Sequence, residues 1–181
     1  MSKNNKLIRL NDVRISFPSL FKPNDRYNSD KPKYEVTFML DKTINTKEIE
    51  TINTHINEIL DDKKIKRPVP ASFMICLKDG DLSDRNELKG HYYIRAKTGN
   101  PVPLVEKNKT PITDEKRFYG GCYVNAYIQV AHYDGKGKGI TAYLQSVQFN
   151  RDGDRFGNSV HDISTAYDFD DTGPDLEEDL F

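Results

Sequence analysis

The sequence lacks tryptophan, long apolar runs and a dense set of cysteines. Its two cysteines, Cys76 and Cys122, are far apart and have no metal-type partner spacing, so we expect reduced, buried thiols in a cytoplasmic protein. No apolar run approaches the ~18 residues that a membrane span requires. No hydrophobic region comes after Met-Ser-Lys-Asn-Asn-Lys, so we expect no secretory signal. We therefore expect a cytoplasmic chain with no membrane partner.

Recognisable catalytic and cofactor motifs are also missing. None of the four histidines lies in a zinc or nucleophile–base motif, and the glycine-rich run 135–139 lacks the spacing of a phosphate loop. Asp79 and Asp81, or the acidic group at 168–171, could bind Mg²⁺ as nuclease carboxylates do. Asp-Gly is, however, a common turn sequence. The sequence predicts no enzyme, cofactor or metal, and leaves a metal-dependent nuclease as the alternative from another class.

What the sequence does contain is an uneven distribution of charge. The chain has 27 Lys and Arg against 28 Asp and Glu, but eight of the acids and none of the bases come after Arg155. Residues 1–155 therefore carry 27 bases and 20 acids, a formal charge of +7. A basic body predicts a polyanionic partner. The acidic segment is too polar to bury a core, so we expect a domain over 1–160 and a disordered tail over 161–181.

Alternation of apolar and polar residues predicts that most of the body is strand. The segments are 7–17, interrupted by a bulge at Asn11-Asp12, then 34–40, 72–77, 92–97, 122–133 and 140–149. Glycines within 134–139 predict a hairpin between the last two. One helix is predicted from the isoleucines at helical spacing in 49–60, with Asn45 and Glu48 forming a capping box at its start.

Five or six strands with one helix are typical of a small closed or half-closed barrel. The predicted class is mainly β with one helix: an OB-like, partly closed barrel with long loops and a disordered acidic tail. A β-sandwich stays open, because periodicity does not define strand order. The long connections at 18–33 and 99–121 both mix bases with aromatic residues, and loops of this length are uncommon unless they are functional.

The strand at 92–97 has the pattern of a nucleic-acid-binding surface. Alternate residues share a face, so Tyr93, Arg95 and Lys97 line up opposite an apolar face. A base can stack on the ring while the cations neutralise phosphates. Predicted phosphate-binding residues in this strand and the two connections are Lys31, Lys33, Arg95, Lys97, Lys107, Lys109, Lys116 and Arg117. Predicted stacking residues are Tyr27, Tyr93, Phe118, Tyr119 and Tyr123, the last of which could instead pack beneath the helix.

Several blocks together resemble a known family. These are Val-Arg-Ile-Ser-Phe-Pro-Ser-Leu-Phe at 13–21, Lys33-Tyr34, Tyr-Gly-Gly-Cys-Tyr-Val-Asn at 119–125, Gly-Lys-Gly-Ile at 137–140 and Leu-Gln-Ser-Val-Gln-Phe at 144–149. They resemble the bacteriophage single-stranded DNA-binding proteins once filed as a domain of unknown function. The resemblance implies an OB fold that coats single strands during phage replication and recombination, in the host cytoplasm.

The tail is similar to those of bacterial and other phage single-strand binding proteins, although it ends in Asp-Leu-Phe and not Ile-Pro-Phe. Such tails dock on replication partners and compete with DNA. The corresponding residues here are Asp175, Glu177, Glu178, Asp179, Leu180 and Phe181. We therefore expect single-stranded DNA and replication or recombination proteins as partners, with self-association left open. The alternatives are a strand-annealing recombination protein and a virion or scaffold protein without DNA affinity.

Overall fold

The computed structural model describes residues 7–26 and 30–156. Tyr27 and the predicted tail at 161–181 lie outside this part of the chain. The described residues form one eight-stranded sheet and one α-helix. The elements are β1 (Ile8–Asn24), β2 (Lys33–Asp41), α1 (Thr46–Asp62), β3 (Phe73–Ile75), β4 (Leu77–Asp79), β5 (His91–Thr98), β6 (Leu104–Val105), β7 (Tyr123–Asp134) and β8 (Lys138–Arg151).

Five strands close into a barrel. β1 pairs with β2, β2 with β5, β7 with β8 and β7 with β1, all antiparallel. A short parallel pairing of β5 with β8, at Ala96 and Ala142, closes the ring. This closure decides between the two predicted architectures: the chain is an OB-like barrel and not a sandwich. The short strands β3, β4 and β6 extend the sheet beside β8 and β5.

The alternation that predicted the strands also fills the barrel. Val36, Phe38 and Leu40 of β2 are fully buried, as are Ile94 and Ala96 of β5. The apolar face of β7 is buried in the same core. The predicted bulge is present, since the β1–β7 register shifts between Leu10 and Val13. The predicted hairpin is also present, with Asp134 paired to Lys138.

The predicted helix is confirmed, but the capping box is wrong. Ile52, Ile56, Ile59 and Leu60 are buried in the core, and α1 packs against β1, β2 and β7. The Asn45 side chain makes no cap hydrogen bond. Its Oδ1 accepts from Asp41 N and its Nδ2 donates to Asn11 O, while Glu48 accepts from Asn11 Nδ2. The bulge of β1 thus engages both side chains, through the backbone carbonyl and the side-chain amide of Asn11.

Both long connections contain more structure than predicted. β1 continues to Asn24, where it pairs with Lys33, so much of the 18–33 segment is a two-stranded arm. The 99–121 connection contains β6 and a 3₁₀ turn at Glu115–Arg117. No described helix is long and apolar enough to cross a membrane.

Candidate nucleic-acid interface

A groove of about 830 Å³ runs across the outer face of β2 and β5. Its floor includes Thr37 of β2 and Tyr93, Arg95 and Lys97 of β5. These residues face outward because their neighbours Val36, Ile94 and Ala96 point into the core. The β1–β2 arm, the 74–88 segment and the β7–β8 hairpin form its walls. OB folds bind oligonucleotides on this strand face and its flanking loops.

The groove is strongly cationic. Among the described residues, six of its lining side chains are bases, against the single carboxylate of Glu35, which accepts a hydrogen bond from Asn24. A concave surface lined by one sign of charge concentrates its field and attracts polyanions. The six cations are Arg26, Lys33, Lys78, Arg85, Arg95 and Lys97.

Four aromatic rings lie among these cations. Phe17, Tyr93, Tyr133 and Tyr143 all line the groove. Phe17 and Tyr143 are exposed, so a ligand in the groove can reach their rings. Rings beside cations along one groove match the requirements of a single nucleic-acid strand, whose bases stack while its phosphates are neutralised.

Comparison with known proteins identifies the family. The model of the Enterobacter phage Enc34 ssDNA-binding protein family matches residues 6–181. The chain belongs to this family. It is also 33% identical, over 96% of its own length and 97% of the relative's, to protein p50 of Acyrthosiphon pisum secondary endosymbiont phage 1. The family resemblance drawn from the sequence blocks is confirmed.

Solved structures agree with this assignment. The single-stranded DNA-binding protein of bacteriophage Enc34 in complex with ssDNA is 28% identical, with a TM-score of 0.75 over 87% of this chain and 96% of the other. The bacteriophage T7 protein gp2.5, a single-stranded DNA-binding protein, shares the fold with a TM-score of 0.59. It is 13% identical and covers 88% of this chain and 98% of its own.

Four of the predicted site residues come together in the groove of this family member. These are Lys33, Tyr93, Arg95 and Lys97. Lys31 is exposed just before Lys33 but is not among the lining residues. Tyr27 lies outside the described residues. The predicted roles of all these side chains in DNA binding stay predictions.

The structure does not place the predicted cations of the 99–121 connection in the groove. Lys107, Lys109 and Lys116 are exposed elsewhere on the surface. The guanidinium of Arg117 donates twice to Glu106 Oε1, at 3.0 and 2.8 Å, and lies 3.7 Å from the centroid of Phe149. Arg117 is therefore already engaged in holding its own connection to the barrel.

Phe118 is a correction to the predicted stacking residues. Its side chain is 5% exposed and belongs to the hydrophobic core. It packs against the rings of Phe21 and Phe149 at centroid distances of 6.2 and 6.1 Å. The 99–121 connection folds back onto the barrel, and Phe118 packs at the contact between them. Its ring is therefore buried and not available for stacking on a base.

Tyr119 and Tyr123 lie away from the groove, in what we call the arginine–aromatic cluster. Arg151 lies 3.7 Å from the Tyr123 centroid, and Arg155 lies 4.3 Å from that of Tyr119. The Tyr119 hydroxyl donates to Asp152. Burial, and to a smaller extent this hydrogen bond, raises the pKa of Tyr119. The full cluster is Arg14, Tyr119, Tyr123, Arg151, Arg155 and Phe156. It fastens the chain after β8 to the barrel, so these ring faces are already covered.

The sequence reasoning missed several groove residues. Strict alternation along β1 predicts that Phe17 points inward with Val13 and Ile15, but its side chain is 56% exposed in the groove. Arg26, Lys78, Arg85, Tyr133 and Tyr143 also line the groove without having been selected. Alternation on β8 gave a signal for Tyr143, since its neighbours Ala142 and Leu144 are apolar and buried.

The carboxylates considered for metal binding have another partner. Lys42 Nζ lies 2.7 Å from Asp79 Oδ1 and 2.6 Å from Asp81 Oδ2, and its hydrogen bonds lower the pKa of both. Within residues 7–26 and 30–156, no three metal-ligating side chains cluster. The Asp-Gly-Asp segment is thus an ion-paired turn in this structure.

The two cysteines are free thiols. Cys122 is fully buried in the core, and burial raises its pKa. Cys76 is partly buried beside the groove, and burial raises its pKa to about 12. Burial therefore disfavours the thiolate form at both positions.

Proposed function

We propose that this chain binds single-stranded DNA in the groove, without strong sequence preference and without catalysing a reaction. The observation that carries the proposal is the combination of six cations, one carboxylate and four rings on the β2–β5 face. The ssDNA complex of the Enc34 protein supports it, because that relative shares both family and fold with this chain.

The chemistry of the groove accounts for this mode of binding. Lys33, Arg95 and Lys97 neutralise phosphates, and Tyr93 stacks against a base. Every base has a π face, so stacking tolerates any sequence. A duplex keeps its base faces inside the stack and does not offer them to the groove. Neutralised phosphates release counterions, so affinity falls steeply with salt.

A fluorescence titration with poly-dT, poly-rU and duplex DNA over a range of salt tests the proposal. We expect tighter binding of poly-dT than of duplex, and a linear fall of log affinity with log salt. Equal affinity for duplex and single strand would show that base stacking does not operate. The poly-rU arm reports whether the groove distinguishes DNA from RNA.

The biological role that we propose is coating and protection of single strands during phage DNA replication or recombination, in the host cytoplasm. A strand-annealing recombination protein is the alternative. An assay that follows the pairing of complementary strands distinguishes coating from annealing. A coating protein must cover the strands to act, whereas an annealing protein would promote pairing at catalytic protein-to-DNA ratios.

The acidic tail is proposed to compete with DNA and to recruit partner proteins. Its carboxylates imitate phosphates, and Phe181 offers an aromatic ring. Deletion of 168–181 is expected to tighten ssDNA binding at low salt, with little effect at high salt because the attraction is screened. Removing only Phe181 should leave DNA binding intact and abolish a partner contact. If the truncated protein binds ssDNA with unchanged affinity at every salt concentration, the tail does not compete with DNA and is only a solubilising extension.

A further inference from the structure

The strand β1 turns an aromatic ring out of the barrel at Phe17. The β1–β2 register passes from Ser16 paired with Thr37 to Ser19 paired with Glu35, so β1 has one extra residue there. Phe17 takes φ +50°, a conformation that non-glycine residues rarely adopt. Bulges of this kind redirect side chains next to binding sites. The bulge therefore holds a largely exposed phenyl ring in the groove at a conformational cost.

A guanidinium faces this ring from the opposite wall. Arg85 Cζ lies 4.3 Å from the Phe17 centroid, and both residues line the groove. Arg85 also pairs with Glu87 at 3.3 Å. The two planar groups belong to different segments of the chain, so the space between them opens if Arg85 changes rotamer without any movement of the barrel.

The segment that carries Arg85 is firmly held. Lys42 pairs with Asp79 and Asp81, and Asp81 in turn accepts from Gly90 N at 2.8 Å. Lys89 Nζ donates to the carbonyl oxygens of Asp81 and Ser83. A Cβ on Gly80 would collide with the backbone oxygen of Leu88, so the backbone is packed too closely for any other residue. Arg85 therefore projects from a rigid support and not from a loose loop tip.

We propose that Phe17 and Arg85 form a stacking slot for one nucleobase of the bound strand. The base lies on the Phe17 ring in the place that Arg85 now occupies, and the guanidinium of Arg85 moves from the ring to the plane of the base. The occupant is a nucleobase because the slot is planar and lies among phosphate-binding cations in one continuous groove. This inference rests on the proposed function and assigns an anchor position to it.

The test compares two single strands, oligo-dT and an abasic oligomer of the same length, which share the phosphates but differ in the bases. Phe17→Leu keeps an apolar side chain at the same φ and removes the planar face. We expect it to weaken oligo-dT binding by about 10-fold, as for loss of one stacked base, and to leave abasic binding unchanged. Phe17→Tyr keeps the planar ring and should bind oligo-dT with wild-type affinity. Leu82→Ala is the matched control, because Leu82 is 85% exposed on the same segment and does not line the groove.

Arg85→Lys gives a second test that leaves β1 unchanged. Lysine keeps the positive charge but lacks the planar guanidinium. The preference for oligo-dT over the abasic oligomer should therefore shrink, while the slope of log affinity against log salt stays the same. If Phe17→Leu binds oligo-dT with wild-type affinity, the stacking slot is wrong. It is also wrong if the variant loses the same affinity for oligo-dT and for the abasic oligomer, because such a loss indicates a distorted groove. Failure of the wild-type protein to bind either strand would instead refute the proposed function.

Discussion

The groove and the arginine–aromatic cluster are built from the same residue types but use them differently. In the cluster the rings and guanidinium groups cover one another, as at Arg151 on Tyr123, 3.7 Å apart. In the groove, Tyr93 and Lys97 line an open volume from one strand face. The contrast shows that bases and aromatic residues together do not define a binding surface. A binding surface also requires ring faces that the ligand can reach, as it can reach the exposed Tyr143 from the groove.

The largest expected effect comes from reversing charge in the groove. Arg95→Glu combined with Lys97→Glu should weaken ssDNA binding by about 100-fold or more at low salt, because two cations of the floor become repulsive. The matched control is Lys109→Glu combined with Lys116→Glu, the same charge change on exposed residues outside the groove. We expect a far smaller loss from the control in a fluorescence titration.

An equal loss of ssDNA affinity in both double variants would contradict the distinction between groove cations and other surface cations. It would show that DNA also contacts the 99–121 connection, as the sequence alone predicts. Circular dichroism should confirm that both proteins keep their strand content.

A smaller effect is expected from the ring on the groove floor. Tyr93→Ala should weaken ssDNA binding by about 10-fold, within the range for loss of one stacked base. Tyr93→Phe keeps the π face and should bind like the wild type. The measurement is the quenching of a fluorescent base analogue in the strand. Normal affinity with Tyr93→Ala would remove this ring from the mechanism.

Replacing a ring of the cluster should affect stability and not binding. Tyr123→Leu removes the surface on which Arg151 lies and against which Gly153 packs closely. Urea denaturation should show a loss of about 1–2 kcal/mol in the free energy of unfolding, from the lost cation–π and packing contacts. Affinity for ssDNA should stay at the wild-type value. A selective loss of affinity would instead place Tyr123 in the interface.

The smallest expected effect concerns the ion pair beside the cluster. Hydrogen bonds from Arg151, with a contribution from Asn150, hold the pKa of Asp12 below its usual 3.8. This stabilisation is present above the unfolded-state pKa and disappears as pH falls through the lower folded-state pKa. The pair is partly exposed, so it contributes less than about 1 kcal/mol.

Asp12→Asn tests this contribution, because asparagine tolerates the φ of +52° at this position. The variant should lose less stability than the wild type between neutral pH and pH below about 4. Identical pH profiles in thermal unfolding would assign no role to the Asp12–Arg151 pair.

Period-2 alternation predicted much of the barrel, since it depends only on which residues the solvent and the core each favour. It therefore placed Tyr93, Arg95 and Lys97 together on one outer face and Ile94 and Ala96 in the core. It failed at Phe17, because a single extra residue in a strand reverses the facing of the residues after it. The predicted capping box also failed, because the Asn45 side chain bonds instead to the backbone of Asp41 and of the β1 bulge.

By itself the sequence determined a mainly β chain with one amphipathic helix, a basic body, an acidic end and one cationic strand face beside a ring. These features depend on neighbours along the chain. Only the tertiary structure decided that the barrel closes, that Phe118 lies in its core and that Arg85 lies over Phe17. Such contacts join residues far apart in sequence, and which rings stay exposed depends on how the whole chain packs.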